Sequence, residues 1–130
     1  MSEKPIVMIV EDEASLQKVL QIRLQIEGFD VRTAGDGEEA LAMIREERPD
    51  LVLTDLMMPM MDGAELTRAI KSDPELKDIP VLVLTALKEQ RERENLLAAG
   101  ADGFAAKPYN SAELTSRIRD LLASARGGDS

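Results

Sequence analysis

The sequence predicts an α/β fold, with five short parallel strands in one doubly wound sheet and helices covering both faces. Three observations carry this. Short β-branched apolar runs alternate five times with segments of helical periodicity. The run at 6–10 is continuously apolar, as a strand buried on both faces requires. The 130 residues suffice for one domain with one core.

The elements follow in order. Residues 6–10, IVMIV, form the first strand, and Leu16, Val19, Leu20 and Leu24 then recur at helical spacing until Gly28 closes the helix. Residues 31–34 are the second strand; Ala40, Leu41 and Ile44 mark a second helix that stops before Pro49. Residues 51–54 are the third strand, leading into Asp55, and Leu66, Ala69 and Ile70 mark the third helix. Pro80 sets off a fourth strand at 81–84, followed by a charged helix closed by Gly100. Residues 104–106 are a weak fifth strand, and Leu114, Ile118, Leu121 and Leu122 stripe the last helix. The expected domain spans 1–124, with 125–130 a flexible C-terminal tail; no linker, repeat or low-complexity segment interrupts it.

Composition narrows the chemistry. With 44% hydrophobic and only 2% aromatic residues, aliphatic side chains and Met must build the core. The net charge of −9 repels nucleic-acid phosphates and anionic lipid, so no direct nucleic acid or membrane partner is expected. No Cys and no His are present, which excludes disulfides, thiol catalysis, a zinc site and a His general base. Any metal must be a hard ion held by oxygens, such as Mg2+. No signal peptide or bilayer-spanning stretch is visible, so a cytoplasmic location is expected.

Parallel sheets of this kind bind ligands outside the carboxyl ends of their strands. Strand one ends in Glu11, Asp12 and Glu13, strand three in Asp55, strand four in Thr85 and Ala86, and strand five in Lys107 and Pro108. Strand two offers only Gly35 and Asp36. Singly, each residue is ordinary: an Asp in a turn, a Thr at a cap, a surface Lys. Together they form a specific cluster. Crowded carboxylates repel, and magnesium relieves the repulsion by taking carboxylates and waters in an octahedral shell. Lys107 adds a second positive charge and Thr85 a small donor. A metal, an ammonium and a hydroxyl around one carboxylate cradle a phosphoryl group, which makes Asp55 the nucleophile of an aspartyl phosphate.

These residues, in "VEDE", "LTDLMMPMMDG", "LTAL" and "KP", closely resemble the receiver domains of two-component response regulators, over residues 4–124. The resemblance implies a flavodoxin-like sheet of order 2-1-3-4-5. It implies Asp55 as phosphoacceptor, charged by a sensor histidine kinase or histidine phosphotransfer protein. Asp12 and Asp55 would ligate Mg2+ directly, Glu11 through water, and Met57 through its backbone carbonyl. Thr85 and Lys107 would contact the phosphoryl oxygens. Phosphorylation would draw Thr85 inward and free space for Phe104, a switch aromatic, changing the face made by the fourth helix, fifth strand and fifth helix. A phosphorylation-dependent dimer, a cis Lys107–Pro108 peptide and kinase docking around Ala14, Ser15 and Leu16 belong to the same set of expectations. The chain would catalyse only its own phosphorylation and dephosphorylation, and would not be an enzyme with a separate substrate; its downstream effector stays open. Met57 and Leu87 stand where the family varies hydrolysis, and neither side chain can hold an attacking water, so a long-lived phosphate is expected.

Two rival functions and one decoy motif share parts of this pattern. An aspartyl-phosphate phosphatase of the haloacid dehalogenase kind needs a second Asp two residues after the nucleophile, where Met57 stands. A phosphorylation-independent interaction module on the same fold usually lacks the acid pair, the acceptor or the Lys, all present here. "GDGEEA" at 35–40 matches a dinucleotide fingerprint, but Glu38 and Glu39 would repel a pyrophosphate. The Met cluster in "LTDLMMPMMDG" reads as adaptable filler around a tight turn.

Overall fold

The computed structural model describes residues 4–58, 61–86, 90–107 and 110–127. Five strands alternate with five helices: β1 (Ile6–Val10), α1 (Ala14–Ile26), β2 (Asp30–Ala34), α2 (Gly37–Glu46), β3 (Leu51–Asp55), α3 (Gly63–Ser72), β4 (Val81–Thr85), α4 (Gln90–Ala99), β5 (Gly103–Ala106) and α5 (Ser111–Gly127). All pair in parallel in the order β2-β1-β3-β4-β5. The chain therefore leaves β1 for β2 on one side, then returns to place β3 on the other. The gap between the carboxyl ends of β1 and β3 is the switch point where such sheets open a crevice.

Strand side chains alternate between faces, so one apolar run feeds two cores. Met8, Val10, Val52, Val81 and Val83 meet Ala40, Ile44, Leu66, Ile70 and Leu96 from α2, α3 and α4. Val7, Ile9, Leu51, Leu53, Leu82 and Leu84 meet Leu20, Leu24, Leu114, Ile118 and Leu122 from α1 and α5. β3 and β4 are buried along their whole length, their apolar runs LVL and VLVL carrying Thr54, Asp55 and Thr85 into the interior at the carboxyl ends. Full burial of each large aliphatic side chain contributes about 1.5–3 kcal/mol.

Local chemistry sets the helix ends. Asp36 caps α2 by accepting from the Glu39 N–H, and Asp62 and Glu65 form a reciprocal capping box at α3. Gly28 and Gly100 follow α1 and α4 with φ of +98° and +102°, a left-handed conformation that costs glycine little.

The bounds of β2, β3, β4 and β5 each differ from the sequence reading by one residue, and two helices differ more. Val19 does not belong to the buried stripe of α1: Leu20 and Leu24 are buried, while Val19 is 57% exposed, with Ile22 and Ile26 beside it on the outer face. At 3.6 residues per turn Val19 lies about 100° around the axis from Leu20, and apolar residues on both sides blur the periodicity. α5 also runs to Gly127, past the 124 boundary, because Ala123, Ser124 and Ala125 continue it before a Gly pair.

Candidate functional site

The predicted strand-end residues converge at the switch point. β1 hands over to Glu11 and Asp12, and β3 ends on Asp55. β1 and β3 run in register from Val7 against Leu51 to Val10 against Thr54, which brings their acids level. One carboxylate oxygen from each of Glu11, Asp12 and Asp55 lies within 4.8 Å of the others, an arrangement that could hold a metal ion. Asp12 is exposed, whereas Glu11 and Asp55 are buried. The Lys107 ammonium, just past β5, pairs with Asp55 Oδ1 at 2.6 Å. Thr85, also buried, ends β4, and its carbonyl accepts from the Lys107 N–H at 2.8 Å, tying the two strand ends together.

Glu11 is the electrostatic centre of the cluster. One oxygen, Oε2, accepts from the Glu13 N–H at 3.1 Å, while Oε1 is buried without a hydrogen-bond partner. Burial pushes the Glu11 pKa up, and the Asp55 charge adds to this; the Glu13 N–H and the Lys107 charge pull the other way. A buried carboxylate oxygen without a donor is costly, and an all-oxygen donor set of three acids suits a hard divalent cation.

The turn after β3 is built by close approach. The Gly63 N–H donates to the Leu56 carbonyl at 2.9 Å, and a Cβ at Gly63 would come within 2.5 Å of the Asp55 carbonyl oxygen. Gly37 does the same from α2, where a Cβ would meet the Met61 carbonyl oxygen at 2.7 Å. The turn residues 56–58 and 61–62 are thus held between β3 and the start of α2. Met57 is 77% exposed, and Thr54 Oγ1 donates to the Asp55 carbonyl at 2.9 Å.

Phe104 is half-buried against the core under α2, α3 and α4. It lines a cavity of about 310 Å³ together with Thr85, Arg93, Ala106 and Arg117. Pro108 and Leu87, and with them the expectations of a cis peptide and of a Leu beside the site, lie outside the described residues.

A family model of the response regulator receiver domain matches residues 7–119. The chain belongs to this family. As such a receiver domain it is a signalling unit of two-component systems. It is 42% identical over 116 residues to the DNA-binding response regulator MtrA of Mycolicibacterium paratuberculosis, covering 89% of this chain and 50% of that protein. Among solved structures, it resembles the chemotaxis response regulator CheY4 of Vibrio cholerae (TM-score 0.87, 32% identity, 92% of this chain and 99% of that one). It also resembles the receiver domain of the sensor histidine kinase PA1611 from Pseudomonas aeruginosa, solved with magnesium in its active-site cleft (TM-score 0.86, 32% identity, 94% and 100%). The chain spans about half the length of the curated relatives it matches.

Sequence reasoning missed three contacts around this receiver site: the close approach of Gly37, the hydrogen bond from Thr54, and the hydrogen bonds from the Gln17 amide on α1 to the Glu11 and Ala34 carbonyls. For Gly37 a signal existed, since "GDG" had no other use once the dinucleotide reading failed. Thr54 and Gln17 carried none, because a Thr in a strand and a Gln in a helix are unremarkable.

Proposed function

We propose that Asp55 accepts a phosphoryl group from a phosphohistidine on a sensor histidine kinase or phosphotransfer protein, in a reaction that requires Mg2+. Asp12, Asp55 and the Met57 carbonyl would hold the ion directly and Glu11 through water. The unpartnered Glu11 Oε1 and the all-oxygen donor set support that fit. Bound there, magnesium would offset the crowded negative charge and polarise the phosphoryl oxygens.

The chain's own residues do the rest. An Asp55 carboxylate oxygen attacks phosphorus as the P–N bond to the donor imidazole breaks, and the imidazole leaves with the bonding pair. Lys107, already 2.6 Å from Asp55, neutralises charge on the transferred group. Thr85 turns its hydroxyl to a phosphoryl oxygen. Phe104 then moves into the space beside it, where the cavity shared with Thr85 supplies room. The result is a population shift of the face formed by α4, β5 and α5.

The observation that carries this reading is the Lys107–Asp55 pair inside a trio of converging carboxylates. In the relatives named as DNA-binding or transcriptional regulators, we assign DNA contact to the half of their length that this chain does not span; the −9 charge of this chain argues against direct contact here. Among the described residues no helix is long and apolar enough to cross a membrane.

Intact mass after incubation with acetyl phosphate tests the reading. One added phosphoryl group is expected on the wild type, absent without magnesium and absent in Asp55→Ala. An adduct that persists in Asp55→Ala would overturn Asp55 as acceptor. No adduct under any condition, together with no response to beryllofluoride, would favour the phosphorylation-independent module.

A further inference from the structure

We propose that Gln17 is a positioning residue for the acid pair: its amide holds the peptide between Glu11 and Asp12 and so aims both carboxylates at the site. This rests on the reading that the acid trio holds magnesium. Gln17 lies on α1, half-buried, with its side chain turned to the carboxyl ends of β1 and β2. Its Nε2 donates to the Glu11 carbonyl at 3.0 Å and to the Ala34 carbonyl at 3.1 Å. Both partners are acceptors, so the nitrogen face of the amide must point at them. The Ala34 carbonyl also accepts from the Glu11 N–H at 3.0 Å, which closes a small network across the two strand ends.

The Glu11 carbonyl and the Asp12 nitrogen share one planar unit. Fixing that carbonyl fixes the direction in which the chain enters Asp12. The Glu13 N–H restrains the same turn from the other side, through Glu11 Oε2. Glu11 and Asp12 are thus aimed by one contact from the helix and one from within the turn. A loose turn would let two like charges separate, at the expense of a site that needs them close. Residues that orient ligands without touching the metal typically change its affinity by about 10–100-fold.

The test is the Mg2+ dissociation constant by calorimetry at fixed ionic strength, set beside the melting temperature of the metal-free protein. The variants are Gln17→Met, which keeps the bulk and removes the donors, Asp12→Ala, and Ile44→Val as a control for lost stability alone. Gln17→Met is expected to weaken Mg2+ binding about tenfold. Ile44→Val should leave affinity within twofold of wild type. At saturating Mg2+ the phosphorylation rate of Gln17→Met should return to near the wild-type value, as expected for a residue that positions ligands without touching the reacting atoms. Should Gln17→Met not fold, Gln17→Asn, one methylene too short to reach both carbonyls, serves in its place with the same expected loss. Wild-type affinity in the Gln17 variant, with binding lost in Asp12→Ala, would overturn this inference and leave the metal site standing. No Mg2+ binding by the wild type, or undiminished binding by Asp12→Ala, would overturn both.

Discussion

The two ends of the sheet use the same residue types for opposite purposes. At the amino end, Asp50 accepts from the Ile6 N–H at 2.7 Å and donates its own N–H to the Ile6 carbonyl at 2.8 Å. Asp102 repeats the device on β4: it accepts from the Val81 N–H at 2.8 Å and donates to the Val81 carbonyl at 2.9 Å. Lys71 completes the second ring, 2.8 Å from Asp102, while also donating to the Lys77 and Ile79 carbonyls. At the carboxyl end, Asp55 and Lys107 form an equally short pair, but three carboxylates crowd there and Glu11 Oε1 has no partner. Both Asp residues also take a backbone donor, the Val81 N–H for Asp102 and the Leu56 N–H for Asp55, so the difference lies in the acids crowded beside the second pair. An Asp–Lys pair beside an unsatisfied acid leaves capacity for a ligand.

Exchanging the two Asp residues' fates is the strongest way to break this contrast. Asp55→Ala should abolish the phosphoryl adduct altogether, while Asp102→Ala should leave its yield unchanged when both are measured by intact mass. The second effect is one of stability: Asp102→Ala strands the Val81 N–H and removes the ion pair of Lys71, which keeps the Lys77 and Ile79 carbonyls, at about 1 kcal/mol for these partly exposed groups. Urea unfolding would read this as a lower midpoint at constant slope.

The pH dependence of the metal-free protein sharpens the electrostatic half. Folding raises the Glu11 pKa above its ordinary value of 4.5, so the folded chain binds that proton more tightly than the unfolded one. The associated stability is fully present below 4.5 and is lost as pH rises through the folded pKa. Glu11→Gln removes this dependence. The stability difference between Glu11→Gln and wild type in EDTA should therefore widen as pH rises from 4.5 toward neutrality; a difference flat with pH would contradict the burial of a charged Glu11. The smallest effect concerns lifetime. Met57 is 77% exposed beside the acceptor, and Met57→Asn, able to hold a water, should shorten the half-life of the phosphorylated form by a few-fold.

Much of this was legible in the chain. All ten elements follow from apolar runs and helical spacing, and Glu11, Asp12, Asp55, Thr85 and Lys107 stand out because each follows a strand. The α1 face was not legible. Leu16, Val19, Leu20 and Leu24 make one plausible stripe, and Val19, Ile22 and Ile26 another; only contact with β1, β2 and α5 selects the first without Val19. Gln17 was invisible for the same reason, since its partners Glu11 and Ala34 lie at the carboxyl ends of two different strands. The reciprocal rings of Asp50 and Asp102 were equally hidden, joining residues 44 and 21 positions apart in the chain.

Sequence alone determined the class of the fold, the number of its elements and the residues delivered to each strand end. Those rest on spacings of two to four residues, which backbone geometry converts directly into faces. The adjacency of β1 and β3 was implied only through the family resemblance; tertiary structure alone decided that their acids come within 4.8 Å and that the Gln17 amide on α1 reaches the Glu11 carbonyl. These depend on crossovers and burial between distant segments, where no local spacing carries the information.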